Sequence, residues 1–110
     1  MADTIIEEVG MGTQVQVQIS MDPLTGADGE TKYGLTDLTW NAYFEGAKQY
    51  VVKKTDAVEQ ADGTYLCLVD TSETGRGEIK AWLEVTDIPS INGVSRKEVT
   101  PPVSINLKVV

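Results

Sequence analysis

The chain has 110 residues, a length that suits one domain with its own core. Of these residues 41% are hydrophobic and 24% are charged, which is typical of a soluble globular protein. Its net charge of -8 disfavours partners that present phosphate backbones or anionic membrane surfaces. The absence of histidine and the single cysteine exclude a histidine-based triad and an intrachain disulfide. We therefore expect no cofactor, no metal, and no nucleic-acid, membrane or small-molecule partner.

The N-terminal segment places apolar side chains among acids and ends in a methionine flanked by glycines. Ile5, Ile6 and Met11 are candidates for contact with a partner protein. The glycines on either side of Met11 favour a bend in the backbone. Residues 1–11 are therefore either a short first strand or an N-terminal arm, followed by a domain over residues 12–110. No basic stretch precedes a long apolar one, so we expect no signal peptide, and the single cysteine fits an intracellular, reducing place of synthesis.

Alternation of apolar and polar residues predicts three half-buried strands in the first half of the chain. They cover residues 13–20, 38–44 and 49–54. Trp40 has apolar neighbours on its own face of the second strand, which predicts a core position. Residues 21–36 are rich in turn formers and predict a loop.

Three acids in that loop, Asp22, Asp28 and Glu30, raise a calcium alternative. Their spacing differs from that of an EF-hand, which alternates oxygen ligands around a fixed glycine and ends in a glutamate. A solvated surface loop is the preferred interpretation, and no metal site is predicted.

The middle of the chain predicts a buried strand, a polar link and a half-buried strand. Residues 65–69 are apolar without a break, which predicts that both faces are covered and that Cys67 is a core thiol. Residues 70–77 are turn formers, and residues 79–85 alternate again. This alternation turns Trp82 away from the core, where it is a candidate for contact with a partner or is covered by the chain's own loops.

The C-terminal part predicts two more strands separated by proline. Pro89 ends the preceding strand, and Asn92-Gly93 is a strong turn signal. Residues 94–100 form a short charged strand that suits a sheet edge, and residues 103–109 alternate as a last strand.

Seven or eight short antiparallel strands without a convincing helix predict an all-β fold in one domain. An immunoglobulin-like β-sandwich is the preferred architecture, although the paired cysteines of antibody-type domains are absent. A small β-barrel is the alternative.

The sequence offers little catalytic chemistry, and we predict that the protein is not an enzyme. The segment Gly75-Arg76-Gly77 is too short for a phosphate-binding loop and opens onto a strand instead of a helix. Adjacent carboxylates are expected by chance among 17 acids. Arg76 is instead a candidate partner-binding residue, because its glycine neighbours allow close backbone approach, although a solvated turn arginine is the simpler interpretation.

An ordered set of motifs covers most of the chain from Gly12 onward. Gly12-Thr13 opens the first long strand, and Leu35-Thr36-Asp37-Leu38 precedes the second. The later motifs are Asp62-Gly63-Thr64-Tyr65, Val69-Asp70-Thr71, Gly75-Arg76-Gly77-Glu78-Ile79-Lys80, Val85-Thr86-Asp87-Ile88-Pro89 and Gly93-Val94-Ser95-Arg96-Lys97-Glu98-Val99. This set resembles small structural proteins of tailed phages and prophages of Bacteroides-type bacteria, which look like the immunoglobulin-like N-terminal domains of phage baseplate and fibre proteins.

This resemblance implies a virion structural protein that packs on capsid, tail or baseplate subunits as an adaptor, decoration or fibre-docking module. It implies other virion proteins as partners, and a homo-oligomer or a symmetric multi-copy assembly. It supplies no catalytic residues. A carbohydrate- or surface-binding β-sandwich is the alternative, which predicts that Tyr33, Tyr43, Trp82 or Trp40 group on one face.

Overall fold

The computed structural model describes residues 6–110, without the side chain of Ile91. Over this range the chain is mostly β-strand, which confirms the all-β class. The strands are β1 (Glu7–Val9), β2 (Gln14–Ile19), β3 (Leu24–Thr25), β4 (Lys32–Tyr33), β5 (Trp40–Glu45), β6 (Gln49–Lys53), β7 (Val58–Glu59), β8 (Tyr65–Asp70), β9 (Gly77–Pro89), β10 (Ser95–Val99) and β11 (Val103–Val109). One helical turn, α1, covers Thr71–Thr74, and short 3₁₀ turns cover Lys54–Asp56 and Ile91–Gly93.

The larger sheet is built around β9, which is 13 residues long. Its strand order is β1-β11-β9-β5-β6, and β10 also pairs with β9. One edge of β9 pairs with β5, whereas the other edge pairs with β11 over residues 77–81 and with β10 over residues 84–89. The predicted strand at residues 94–100 is thus an edge strand, as expected. β1 pairs with β11 in parallel, which is an exception to the predicted antiparallel arrangement.

The smaller sheet has the order β2-β8-β7, and β3 pairs with β4 as a separate hairpin. Asp62-Gly63 forms the turn between β7 and β8, where Gly63 has a φ of 83° that favours glycine. Within residues 6–110 the sheets are not closed into a barrel, so the barrel alternative is wrong.

One apolar core joins the two sheets. Trp40 is 1% exposed, packs edge-on against Tyr65 of β8 with ring centroids 5.1 Å apart, and donates its indole N–H to the Leu35 carbonyl at 3.1 Å. Cys67 is fully buried, and its burial raises the pKa of the thiol to about 11. The core positions predicted for Trp40 and Cys67 are confirmed. The other core residues are Leu35, Leu38, Ala42, Phe44, Val52, Val69, Ile79, Leu83, Val85, Ile88, Leu107 and Val109.

The prediction that both faces of residues 65–69 are covered is wrong. Burial alternates along β8, so that Val69 is fully buried and Leu68 is 50% exposed. The smaller sheet packs one face on the core and turns the other toward solvent, as antiparallel sheets commonly do.

Two segments predicted to be irregular contain short regular elements. Residues 71–74 form α1, because the Asp70 carboxylate accepts the backbone N–H of Ser72 at 3.0 Å and caps the turn. Residues 21–36 contain the β3–β4 hairpin, and Arg96 of β10 donates to the Thr25 carbonyl at 3.2 Å. The loop predicted over residues 21–36 therefore contains a short hairpin.

Residues 1–11 are predicted from the sequence to be either a short first strand or an arm. Of these, Glu7–Val9 form a strand that pairs with β11. The Met11 N–H then donates to the Val110 carbonyl at 3.1 Å. The domain boundary between residues 11 and 12 stays a prediction. No helix within residues 6–110 has the length and apolar character needed to cross a membrane.

Candidate functional site

A groove of about 500 Å³ lies between β2 and the inner face of the larger sheet. Val17 and Ile19 of β2 line one side, and Ala81, Val103 and Ile105 lie on the opposite side. A second cavity of about 220 Å³ continues beside β2 and shares Val17 and Ile105 with the first. We call the two cavities together the β2 groove.

The β2 groove exists because the larger sheet has strands that the smaller sheet does not cover. Val103 pairs with Ala81, so it shares the inner face of the sheet, yet its residue surface is 59% exposed. β2 is the last strand of the smaller sheet on this side. Apolar surface that an additional strand would cover is therefore left open to solvent.

Within residues 6–110, β8 is the only strand paired with β2, so the other edge of the β2 backbone faces this groove without a partner strand. The Thr71 N–H donates to the Thr13 carbonyl at 3.1 Å, and this pair continues the register in which Val15 faces Val69. Hydrogen bonding alternates along an antiparallel pair, so the odd-numbered residues of β2 bond to β8. The backbone N–H and C=O groups of Gln14, Gln16 and Gln18 consequently point away from β8.

The electrostatics of the groove are simple. Its charged lining residues are Asp22, beyond the C-terminal end of β2, and Glu7 of β1, beside the second cavity. Among the described lining residues there is no lysine or arginine. The groove is therefore an apolar trough with a carboxylate toward each end.

Trp82 lies on the outer face of the larger sheet and is half-buried. Its ring stacks on that of Tyr43 with centroids 5.4 Å apart and planes 4° from parallel. Tyr43 of the neighbouring strand covers one face of the ring and the side chain stays partly accessible, so contact of Trp82 with a partner stays a prediction. Trp40 is in the core and Tyr33 is in the β3–β4 hairpin, so the aromatic residues do not form one surface.

The other predicted partner-binding residues are divided between two places. Met11 contacts Val110 through its backbone, and Val109 pairs with Gly77, so Met11 and Arg76 lie at the same end of the larger sheet. Both are exposed. Ile6 is 44% exposed at the other end of β1, and Ile5 lies outside the described residues.

One acid of the 21–36 segment, Asp28, has a local structural role. The Asp28 carboxylate accepts hydrogen bonds from the backbone N–H groups of Glu30 and Thr31 and from the Thr31 hydroxyl, which lower its pKa to about 2. Among the described residues no group of three or more acids, cysteines or histidines is arranged to hold a metal ion.

Sequence analysis did not single out the groove residues Val17, Val103 and Ile105, because their alternation is that of ordinary core strands. The missing information is the strand order, which leaves β2 at an edge and Val103 of β11 uncovered. No protein-family model, curated protein or solved structure matches this chain. The site must therefore be interpreted from its own geometry.

Proposed function

We propose that this chain is a non-enzymatic structural protein of a bacteriophage virion, with an immunoglobulin-like β-sandwich that docks on capsid, tail or baseplate subunits. The observation that carries the docking role is the β2 groove, where exposed apolar side chains lie beside an unpaired strand edge. Such edges are templates for pairing with another chain, and contiguous exposed apolar surface marks interaction sites. The virion setting rests on the resemblance of the sequence motifs.

The sandwich architecture is supported by two sheets that share one core. β5, β9 and β11 contribute the inner face of the larger sheet, and β2 and β8 contribute that of the smaller one. Among the strands that the structure describes, the pairing is antiparallel except between β1 and β11. These features are typical of immunoglobulin-like sandwiches, in which inward-facing residues of both sheets form the core.

A virion would present many symmetric copies of the docking subunit, and the proposed protein would be present in matching numbers. Its net charge of -8 would keep the unassembled chain soluble despite the apolar groove.

The carbohydrate-binding alternative has weaker support. Sugars bind aromatic side chains by lying on an open ring face, whereas Tyr43 and Trp82 each cover one face of the other. The pair thus offers less open aromatic surface than two separate rings.

The composition of phage particles tests the proposed function. Particles induced from the bacterium that encodes the chain are purified on a density gradient and analysed by quantitative mass spectrometry. We expect the chain in a constant ratio to one capsid, tail or baseplate subunit across the particle peak, with an abundant host cytoplasmic protein as the contamination control. Recovery of the chain from the soluble extract alone, with none in the particles, would overturn the proposal.

A further inference from the structure

We infer that the β2 groove receives one extended segment of a partner protein, which adds as a strand to the free edge of β2. The segment has apolar side chains at alternate positions and a lysine or arginine at each end. This inference deepens the proposed function and rests on the groove being a protein-docking site.

The backbone of β2 supplies the pairing. Gln14, Gln16 and Gln18 direct N–H and C=O groups away from β8, and an added strand can exchange hydrogen bonds with them. Because β2 has 6 residues, the paired part of the partner segment is about 20 Å long. Backbone pairing fixes the direction and register of the segment without requiring particular side chains.

The floor of the groove sets the side-chain pattern. Successive side chains of a strand point to opposite faces, so alternate residues of the added strand would point toward the larger sheet. There they would cover Val103 and Ile105, of which Val103 is 59% exposed. The intervening residues would lie beside the glutamine row on the solvent face of β2, where polar side chains are compatible.

Charge complementarity identifies the ends of the segment. Asp22 and Glu7 are the charged residues that line the groove, and the whole chain has a net charge of -8. A cationic residue near each end would be attracted to both carboxylates, whereas an acidic segment would be repelled.

A second copy of this chain fits the β2 groove less well than a single extended segment does. The β2 strand of another copy is backed by its own core, so pairing β2 with β2 would bring two larger sheets together on the same side. Since β11 and β1 already extend past β2 under the groove, these sheets would compete for that space. A segment without a packed layer behind it avoids this conflict.

Peptide binding tests the inference on the purified chain. The probe is a fluorescein-labelled peptide with valine at alternate positions, threonine between them and a lysine pair at each end, followed by fluorescence anisotropy. We expect saturable binding that is at least about tenfold tighter than that of two control peptides. One control has the same residues with the valines adjacent to each other, and the other has glutamate in place of lysine.

Two matched variants locate the binding. Val103→Asn removes an apolar side chain from the groove, and Val51→Asn removes one that is 40% exposed on the outer face of the larger sheet. Neither changes the charge. We expect Val103→Asn to weaken peptide binding at least about tenfold and Val51→Asn to leave it unchanged.

A backbone variant separates strand pairing from simple apolar contact. Gln16→Pro deletes an N–H that points to the free edge and keeps the β8 pairing, whereas Gln16→Thr keeps that N–H. Loss of binding with proline and retention with threonine would support strand addition.

Equal binding of the adjacent-valine control, or unchanged affinity in Val103→Asn, would overturn the inference. Concentration-dependent dimerisation that Val103→Asn abolishes would also overturn it, because a second copy would then be the occupant. The test of particle composition does not depend on peptide binding. A chain that is present in phage particles but does not bind the peptide would therefore contradict this inference and leave the proposed function intact.

Discussion

Thr71 connects the start of α1 to the turn before β2. Its hydroxyl is fully buried, accepts the Gly12 N–H at 2.8 Å and donates to the Thr13 carbonyl at 2.8 Å. The sequence gives no sign of this role, since Thr71 appears there as one of several turn residues. A single hydroxyl thus joins two segments that are about 60 residues apart along the chain.

Replacement of Thr71 by valine is expected to lower the free energy of unfolding by about 0.5–1.5 kcal/mol, because the Gly12 N–H loses its acceptor whereas the Thr13 carbonyl keeps the Thr71 N–H. Urea denaturation of the variant measures the loss. Thr71→Ser keeps the hydroxyl and is the matched control, for which we expect a much smaller change. Equal stability of the valine variant and the parent would show that water replaces the hydroxyl.

Three exposed carboxylates predict the response of the fold to acid. Hydrogen bonds from the hydroxyl and backbone N–H of a nearby residue lower the pKa of Asp28, Asp62 and Asp70 below the ordinary value of 3.8. A lowered folded-state pKa contributes stability that is present above the unfolded value and is lost as the pH falls through the folded value. For Asp28 this window runs from about 4 down to about 2.

We therefore expect the urea midpoint to decrease as the pH is lowered from roughly 5 to roughly 2. Asp28→Asn should make that decrease smaller, because one of the titrating groups is removed. Thr55→Asn, at an exposed position that carries no titratable group, is the control that should leave the slope unchanged. A midpoint that is independent of pH over this range would contradict the prediction.

At the level of elements, alternation is sufficient to predict the longer strands and insufficient to predict what covers them. The patterns around Val17, Trp40 and Val85 located β2, β5 and β9 correctly. In β8, however, a continuous apolar run was interpreted as a strand covered on both faces, and Leu68 is half exposed. The composition of a strand does not show whether both of its faces are buried or one is open to solvent, because that depends on whether a second layer packs on the sheet.

The two faces of β8 should respond differently to the introduction of a threonine. Val69→Thr introduces a hydroxyl at a fully buried position and is expected to cost about 1–3 kcal/mol, whereas Leu68→Thr at a half-exposed position should stay within about 0.5 kcal/mol. Urea midpoints of the two variants provide the comparison. Equal losses would mean that a second layer covers the outer face in solution.

Short elements escaped prediction for a different reason. α1 and the β3–β4 hairpin contain few residues, so hydrophobic periodicity gives no signal in them. Their stability comes from individual hydrogen bonds, such as those to the carboxylates of Asp70 and Asp28. These side chains were visible in the sequence as turn formers, but which backbone groups they bind depends on the fold.

For the whole molecule, the sequence predicted the class of fold and left the order of its strands open. That order determines the candidate site, because it places β2 at an edge and leaves Val103 uncovered. Pairing between distant strands depends on the combined packing of many residues, and the local pattern around each strand does not specify its neighbour. The outward side chain of Trp82 could be predicted, whereas the β2 groove could not.

Removal of β1 tests how the N-terminal strand contributes to the whole molecule. Val9 packs against the core, and Leu107 and Val109 of β11 pair with β1. A chain lacking residues 1–9 should therefore unfold at a temperature lower by at least about 4 °C, as a change near 1 kcal/mol produces in a domain of this size. Differential scanning calorimetry measures the change, and a chain lacking only residues 1–5 is the control. Equal melting temperatures of the two truncated chains would contradict a stabilising role of β1.

The parallel pairing of β1 with β11 also determines how the protein carries a mechanical load. A stretching force applied at residues 6 and 110 acts on the beginning of β1 and on the end of β11. Because the two strands are parallel neighbours, this force shears them past each other along their length. Hydrogen bonds between strands loaded in this shear direction must break together, whereas an antiparallel hairpin opens one bond at a time. A chain tethered through both ends would thus transmit tension across Glu7–Val9 and Leu107–Val109, without first stretching the core behind them.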